Sequence, residues 1–323
     1  MNIENNIFYQ IRERNYFDNM VIDVREVYKK FPIDFLKKDR HCLKYNNFQK
    51  IYQLPPLPLS CRLYLWNLFR HLNLDLKWFE EFRMYWSSVL GGRPLWSIYD
   101  FFFLTNWYRV KFQDNLMPDT DDPSIHLEAW QKPELIFQLF HLVAKESIDR
   151  DSLFLLTLLK RYKNFKNLVI LEYGCAIAPV IKKIIEFENR ASQIDMYIAD
   201  IQTIAFHYAC YRFRNHLNIT PILLTPENNF CLKSDKKFDV IFCMAVFEHL
   251  SRPLDTIEIF YQVLNNSGIL FFDYIKSTGG GLDTKRGALQ RNDVIDFINS
   301  NFVLLYGTLT KDNSMGLTIV SKK

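Results

Sequence analysis

Glycine is scarce in this chain of 323 residues: there are 10, and only Gly91 and Gly92 precede residue 150. That excludes a collagen-like repeat. With 49% apolar and 24% charged residues, the composition also excludes a disordered chain and a coiled coil. No apolar run approaches the roughly 20 residues that span a bilayer; the run from Ile98 to Leu104 already carries Asp100. The opening stretch (MNIENNIFYQIRERNYF) is broken by Glu4, Arg12, Glu13 and Arg14, which does not read as a secretory signal. None of the cysteines at 42, 61, 175, 210, 231 and 243 forms a C-x-x-C pair, and the histidines are equally scattered. Reduced thiols, a cytoplasmic location, no membrane partner and no resident metal are the expectations. Net charge is +4, from 40 basic and 36 acidic residues in mixed order. Without a dense basic block, nucleic acid is not the expected partner.

What is present divides the chain near residue 150. Roughly 150 residues per domain already favours two domains. All six tryptophans (66, 78, 86, 96, 107 and 130) lie in the first half, and eight of the 10 glycines in the second. Residues 1–120 read as a helical accessory domain. Leu63, Trp66, Phe69, Leu72, Leu76, Phe79, Phe82 and Trp86 recur at helical intervals within Arg62 to Leu90, behind the rigid segment LPPLPL (54–59). Aromatics at that spacing are usually core, with a substrate cap or a homodimer contact as the other uses. Residues 121–164 read as linking lid helices, with Pro133 suited to a first helical turn.

From residue 165 the period changes. Apolar β-rich runs at 168–173, 195–199, 221–224, 238–243 and 268–274 alternate with helical stretches at 178–188, 203–216, 253–264 and 292–299. That alternation predicts βαβ units and a parallel sheet. Two further strands, 302–307 and 315–321, follow each other without a helix and are expected to pair as an antiparallel hairpin at the sheet edge. The fold class is therefore α/β, a Rossmann-like seven-stranded sheet preceded by a mostly helical domain.

Three junctions carry candidate chemistry. The first strand ends in Glu172 and turns at Gly174, where the missing side chain lets a ligand approach the backbone and the next helix offers N–H groups. Neither a G-x-G-x-x-G fingerprint nor a phosphate-cradling G-x-x-x-x-G-K loop is met. The second strand ends at Asp200, placed either to accept both hydroxyls of a ribose or to cap the following helix. The fourth strand runs into Met244, Ala245 and the Glu248–His249 pair.

These residues resemble the class I S-adenosylmethionine-dependent methyltransferases, in LEYGCAIA (171–178), YIAD (197–200), FDVIFCMAVFEHL (238–250) and VLNNSGILFFDY (263–274). The resemblance covers about residues 165–323 and implies the cofactor S-adenosyl-L-methionine. It implies that Glu172 and Gly174 sit under its methionine part and that Asp200 holds the ribose, with Ile201 against the adenine. Glu227 and Asn228 would lie near the adenine amine, and Met244 and Ala245 would line the cofactor side of the fourth strand's exit. The chain departs from the family's G-x-G-x-G loop by carrying Ala176 and Ala178.

For the acceptor side, His249 is the candidate general base, an imidazole being able to take a proton near neutral pH; the other reading is a structural histidine. Asp273 and Tyr274 leave the fifth strand toward the same end, to touch substrate or to bond locally. Ser277 to Arg286, with three glycines, reads as a closing loop, and Arg286 and Arg291 could bind an anionic group. Trp130, beside His126 and Glu128, could pack on cofactor or substrate or fill a domain junction. The function so read is methyl transfer to a small-molecule acceptor, with O-methylation of a specialised metabolite or glycan preferred. The alternatives are an RNA-modifying methyltransferase and a catalytically inactive module that binds partners.

Overall fold

The parallel strands form where β-branched and aromatic residues run together between turn residues, and buried helices follow them. The computed structural model describes residues 77–86, 101, 122–131, 135–146, 150–164, 166–277 and 282–323. They fall into two bodies, the first built from the described parts of 122–131 and 150–323. The second holds helices α1 (Lys77–Met84) and α3 (Ile136–Glu146). In that second body Phe82 and Trp86 each bring their rings 4.9 Å from that of Phe140, and Phe101 lies 5.0 Å from it. Phe79, Phe82, Tyr85, Trp86 and Phe101 are buried. These aromatics form the body's own core and give no support to the expected dimer contact. The rest of the helical pattern over 62–90, the segment 54–59 and Pro133 lie outside the described residues.

The first body is organised on one sheet. Its strands are β1 (Val169–Tyr173), β2 (Asp195–Ile201), β3 (Ile219–Leu224), β4 (Phe238–Cys243), β5 (Leu264–Tyr274), β6 (Phe302–Tyr306) and β7 (Met315–Lys322). Their order is β3-β2-β1-β4-β5-β7-β6. The first five pair in parallel, while β7 runs antiparallel between β5 and β6. The expected hairpin therefore forms, with β6 as the outer strand. Helices α5 (Pro179–Phe187), α6 (Ile204–Arg212), α7 (Pro253–Val263), α8 (Lys285–Leu289) and α9 (Arg291–Asn301) fill the connections, and α2 (Pro123–Trp130) and α4 (Arg150–Tyr162) precede the sheet. The central strands are buried on both faces: Ile170, Leu171, Ile198, Val240, Ile241, Phe242, Leu270 and Phe271 show no exposure. Because all five parallel strands end on one side, the turns after β1, β2, β4 and β5 meet there, which is where open α/β sheets bind ligands.

Arg291 fixes the far part of this arrangement. It is buried, and its guanidinium donates to the carbonyls of Thr310, Lys311 and Asn313 at 3.1, 3.1 and 2.7 Å. The expected anion-binding role is corrected here, since the side chain is buried and its Nη groups are engaged by carbonyls of the β6–β7 connection and of Tyr274. Replacing Arg291 with Leu leaves those carbonyls short of a charged donor. The expected outcome is a loss of at least about 2 kcal/mol in urea unfolding, with no change in the binding of any anionic ligand.

Candidate functional site

The loop after β1 is shaped without the glycines that usually shape it. Gly174 turns at φ +62°, and a Cβ there would lie 2.4 Å from the Val246 side chain, so the loop packs tightly on the exit of β4. Ala176 and Ala178 then both adopt the left-handed region, at φ 49° and 52°. An alanine pays roughly 1–2 kcal/mol for that conformation. The loop is held in it from two sides. Ala178 N–H donates to the Cys175 carbonyl at 2.6 Å, and the buried Arg212 of α6 donates to the Ile177 carbonyl at 3.1 Å.

Glu172 lies beneath this loop, buried, accepting from Val180 N–H at 3.2 Å and Ile181 N–H at 2.9 Å. The first turn of α5 was expected to offer its N–H groups to a ligand. Instead Glu172 takes two of them, because orphan donors at a buried helix start need a partner within reach. Asp200, at the end of β2, accepts from Ala176 N–H at 2.5 Å and from Ile201 N–H at 2.7 Å. It is not the cap of α6: Thr203 is, accepting from Phe206 N–H at 3.2 Å. Burial raises the Asp200 carboxyl to about 6, although the two N–H bonds and the charge of His249 pull the other way. Each Asp200 oxygen carries one N–H bond, so the pair retains lone pairs for two further donors.

The remaining predicted cofactor residues line the same side. Ile201 is half-buried, Glu227 exposed and Asn228 half-buried in the turn Pro226–Asn228 after β3. Met244 is half-buried and Ala245 exposed after β4. Ala245 stands at φ 53° and donates its N–H to Asp273 at 2.5 Å, so Asp273 braces the β4 exit from the end of β5. Tyr274 does not reach the site. It is fully buried, stacks on Phe247 at 5.2 Å and donates its hydroxyl to the Gly287 carbonyl at 2.5 Å. Its substrate role is corrected to a core one: the register that turns Asp273 toward the site turns the next residue inward. Arg286 is exposed on α8.

His249 sits in the turn Phe247–His249, with its ring edge-on to Trp130 at 5.6 Å between centroids. Trp130 ends α2, which is capped by Asp122 accepting from Ser124 N–H at 2.8 Å. The adjoining Gln131 side chain donates to the Gln202 carbonyl at 2.9 Å, fixing this segment over the end of β2. His249 Nδ1 lies 3.1 Å from the Leu282 carbonyl and 3.1 Å from Asp283 Oδ1. Desolvation alone would lower its pKa, but the Asp283 hydrogen bond, the charges of Glu248 and Asp283 and the Leu282 carbonyl outweigh it, and the net shift is upward. Glu248 is 2% exposed, and burial raises its carboxyl to about 7. Sequence reasoning missed Asp283; its only signal is an acid two residues after a glycine run and directly before the helix-capping Thr284. The loop residues 278–281 lie outside the described residues. Among the described residues, no group of three or more His, Cys, Asp or Glu side chains is arranged to hold a metal, and no helix is long and apolar enough to cross a membrane. The described cysteines 175, 210, 231 and 243 are free thiols.

Residues 145–303 match the family described as a methyltransferase domain. A ubiquinone biosynthesis O-methyltransferase of Glaesserella parasuis serovar 5 is 31% identical over 112 residues, 34% of this chain and 46% of the relative. A tRNA U34 carboxymethyltransferase of Campylobacter lari is 26% identical over 175 residues, 51% of this chain and 54% of the relative. The chain thus spans about half the length of the curated relatives it matches. Among solved structures, the N-methyltransferase NodS of Bradyrhizobium japonicum WM9, in complex with S-adenosyl-L-homocysteine, aligns at 18% identity and a TM-score of 0.39, covering 53% of this chain and 85% of NodS.

Two donors arriving at Asp200 favour its charged form. A ligand with a vicinal diol should therefore bind less well once the carboxyl is protonated. S-adenosylhomocysteine affinity, followed by calorimetry from pH 8 down to 5, is expected to hold steady and then fall below about pH 6. The limiting slope is about tenfold per pH unit, one proton's worth. Asp200→Asn is expected to bind weakly with that pH step removed.

Proposed function

We propose that the second half of this chain, where residues 145–303 match a methyltransferase domain, is a class I S-adenosylmethionine-dependent methyltransferase, and that it methylates a hydroxyl on a small or medium-sized acceptor, a specialised metabolite or a glycan. The observation that carries the reading is the loop at 174–178. Its two alanines stand in left-handed conformations that glycine adopts freely, so the shape of the cradle survives the substitutions that would otherwise favour an inactive module. The Asp200 carboxylate, with lone pairs remaining beside two backbone N–H bonds, suits the ribose hydroxyls of the cofactor. Gly174, Ile201, Asn228 and Met244 complete the residues that would hold it. The bound cofactor supplies a methyl carbon already activated on a sulfonium.

The chain's own task is to align the acceptor and take its proton. His249 is the candidate base. Its Nδ1 is engaged by Leu282 and Asp283, which leaves Nε2 to accept a hydroxyl proton. Asp273 acts by holding the Ala245 turn beside it, and Trp130 by backing the imidazole.

A nucleic-acid acceptor has one structural observation in its favour, beside the likeness to a tRNA-modifying relative. An open hollow of about 480 Å³ is lined by Lys160, Arg161, Lys163 and Arg190 together with Glu188. These residues precede β1 and β2, at the strand ends opposite Asp200, so a polyanion held there is not thereby presented to His249.

The test has two stages. S-adenosylmethionine and S-adenosylhomocysteine are expected to bind the full chain, and Asp200→Ala to lose that binding. An acceptor screen with His249→Ala should then show cofactor affinity retained and turnover lowered by roughly 10²–10⁴-fold. A folded protein that binds neither compound is the inactive module instead. A salt-dependent mobility shift with RNA, coupled to RNA methylation, would replace the small acceptor by a nucleic acid.

A further inference from the structure

The Glu248–His249 turn and the segment that follows β5 are joined more firmly than a mobile connector requires. Thr284 N–H donates to the Glu248 carbonyl at 2.9 Å, and its hydroxyl donates to the Leu250 carbonyl at 2.7 Å. The same hydroxyl accepts from Gly287 N–H at 2.7 Å and caps α8. A Cβ at Gly287 would stand 2.5 Å from the Glu248 carbonyl oxygen, so the first turn of α8 lies directly on the backbone of the His249 turn. Thr284 and Gly287 are both buried. This staple delivers the preceding residue, Asp283, to the imidazole, 3.1 Å from Nδ1, while the two side chains stay partly open to solvent.

We infer that Asp283 is the positioning residue of His249, holding the ring with its proton on Nδ1 so that Nε2 is the nitrogen that meets the acceptor. The inference rests on the reading of His249 as the base. A neutral imidazole has one N–H and one lone pair, and the hydrogen bond made by one nitrogen decides which role the other plays. Both groups facing Nδ1, a carbonyl and a carboxylate, can only accept, so the proton resides there. Among the described residues, the charged groups that act on its titration are acidic: Glu248 beside it in the chain, Asp283 from the stapled segment and Asp200 from the end of β2. Asp283 itself stays anionic, held below its usual range against the pull of burial by its bonds to His249 and to Ser277.

With S-adenosylmethionine bound, the hydroxyl proton would pass to Nε2 as the oxygen's electron pair formed the bond to the methyl carbon, and the electrons of the broken carbon–sulfur bond would go to sulfur. The imidazolium so formed lies against Asp283, whose charge stabilises it. Thr284 and Asp283, at the start of α8, therefore set the base.

Asp283→Asn and Asp283→Glu in the full chain, saturated with S-adenosylhomocysteine, test this by nitrogen-15 NMR of labelled histidine. The wild type is expected to show His249 as the Nδ1–H tautomer when neutral, titrating above its ordinary value. In Asp283→Asn the midpoint should fall and the tautomers mix, while Asp283→Glu largely restores both. Once an acceptor is known, Asp283→Asn should lower kcat roughly tenfold to a hundredfold, less than loss of the base itself, with KM for the cofactor unchanged. An unaltered midpoint and tautomer in Asp283→Asn overturns the inference. A shifted titration together with full turnover in His249→Asn leaves the pair standing but removes the catalytic role, which is the failure of the underlying reading. Retained S-adenosylhomocysteine binding by each variant shows that it is folded.

Discussion

The carboxylate of Asp200 joins the two turns on which the site depends. It bonds the Ala176 N–H from the loop after β1 and the Ile201 N–H at the end of its own strand. That link is available only because β1 and β2 pair in parallel with Tyr173 opposite Ala199, which brings the two exits level. Cys175 N–H continues the pairing to the Ala199 carbonyl at 3.2 Å. Tyr173 also donates its hydroxyl to the Phe230 carbonyl at 2.8 Å, tying the same exit past β2 to the segment after β3. The mouth of the sheet is thus set by hydrogen bonds from three strands. No single loop could hold it alone.

The rigidity explains how the strain is tolerated. Among the described residues, Ala176, Ala178, Asn229, Phe230 and Ala245 have positive φ just beyond the carboxyl ends of β1, β3 and β4, while Asn167 and Ser267, which share that conformation, lie away from the mouth. Such residues persist only where their surroundings over-determine them, and they concentrate where ligands bind. Ala176 and Ala245 are each held by a carboxylate from the neighbouring strand end, Asp200 and Asp273. Phe230 is buried and carries the Tyr173 bond on its carbonyl. The strain is therefore distributed beside the same hydrogen bonds that close the mouth.

This division also separates what could be read in the sequence from what could not. The strand 238–243 coincides with β4, and the other strand and helix positions fall within a few residues, because each carries its own apolar run and its own turn residues. The exit positions of Asp200, Met244 and Asp273 follow from those strand ends. Side-chain commitments do not follow, since they depend on which groups compete nearby. Glu172 looked like a ligand contact and serves the first turn of α5. Tyr274 looked like an exit residue and is sealed beneath α8. The His249–Asp283 pair joins positions 34 residues apart, and only the path of the chain after β5 brings them together.

The acidic groups at the mouth illustrate how burial sorts residues of one chemistry into different states. Glu172 and Asp200 each receive two backbone N–H bonds, Asp273 receives one, and Asp283 receives the imidazole. Glu248 is the exception: its Oε2 is buried with no hydrogen-bond partner among the described residues, and Asp273 and Asp283 add repulsion to the desolvation. A carboxylate in that position is stabilised chiefly by the neighbouring imidazolium, so Glu248 and His249 titrate together and not independently. Both shifts are upward, so the pair takes up protons together as pH falls through neutrality, and protonation of Glu248 removes one of the charges that hold the imidazole's affinity for its proton high. Asp283 supplies the other charge and keeps it to lower pH, because donors from Ser277 and His249 support its anionic form. The pair with the hydrogen bond thus retains its geometry over a range in which the adjacent, uncommitted acid changes state.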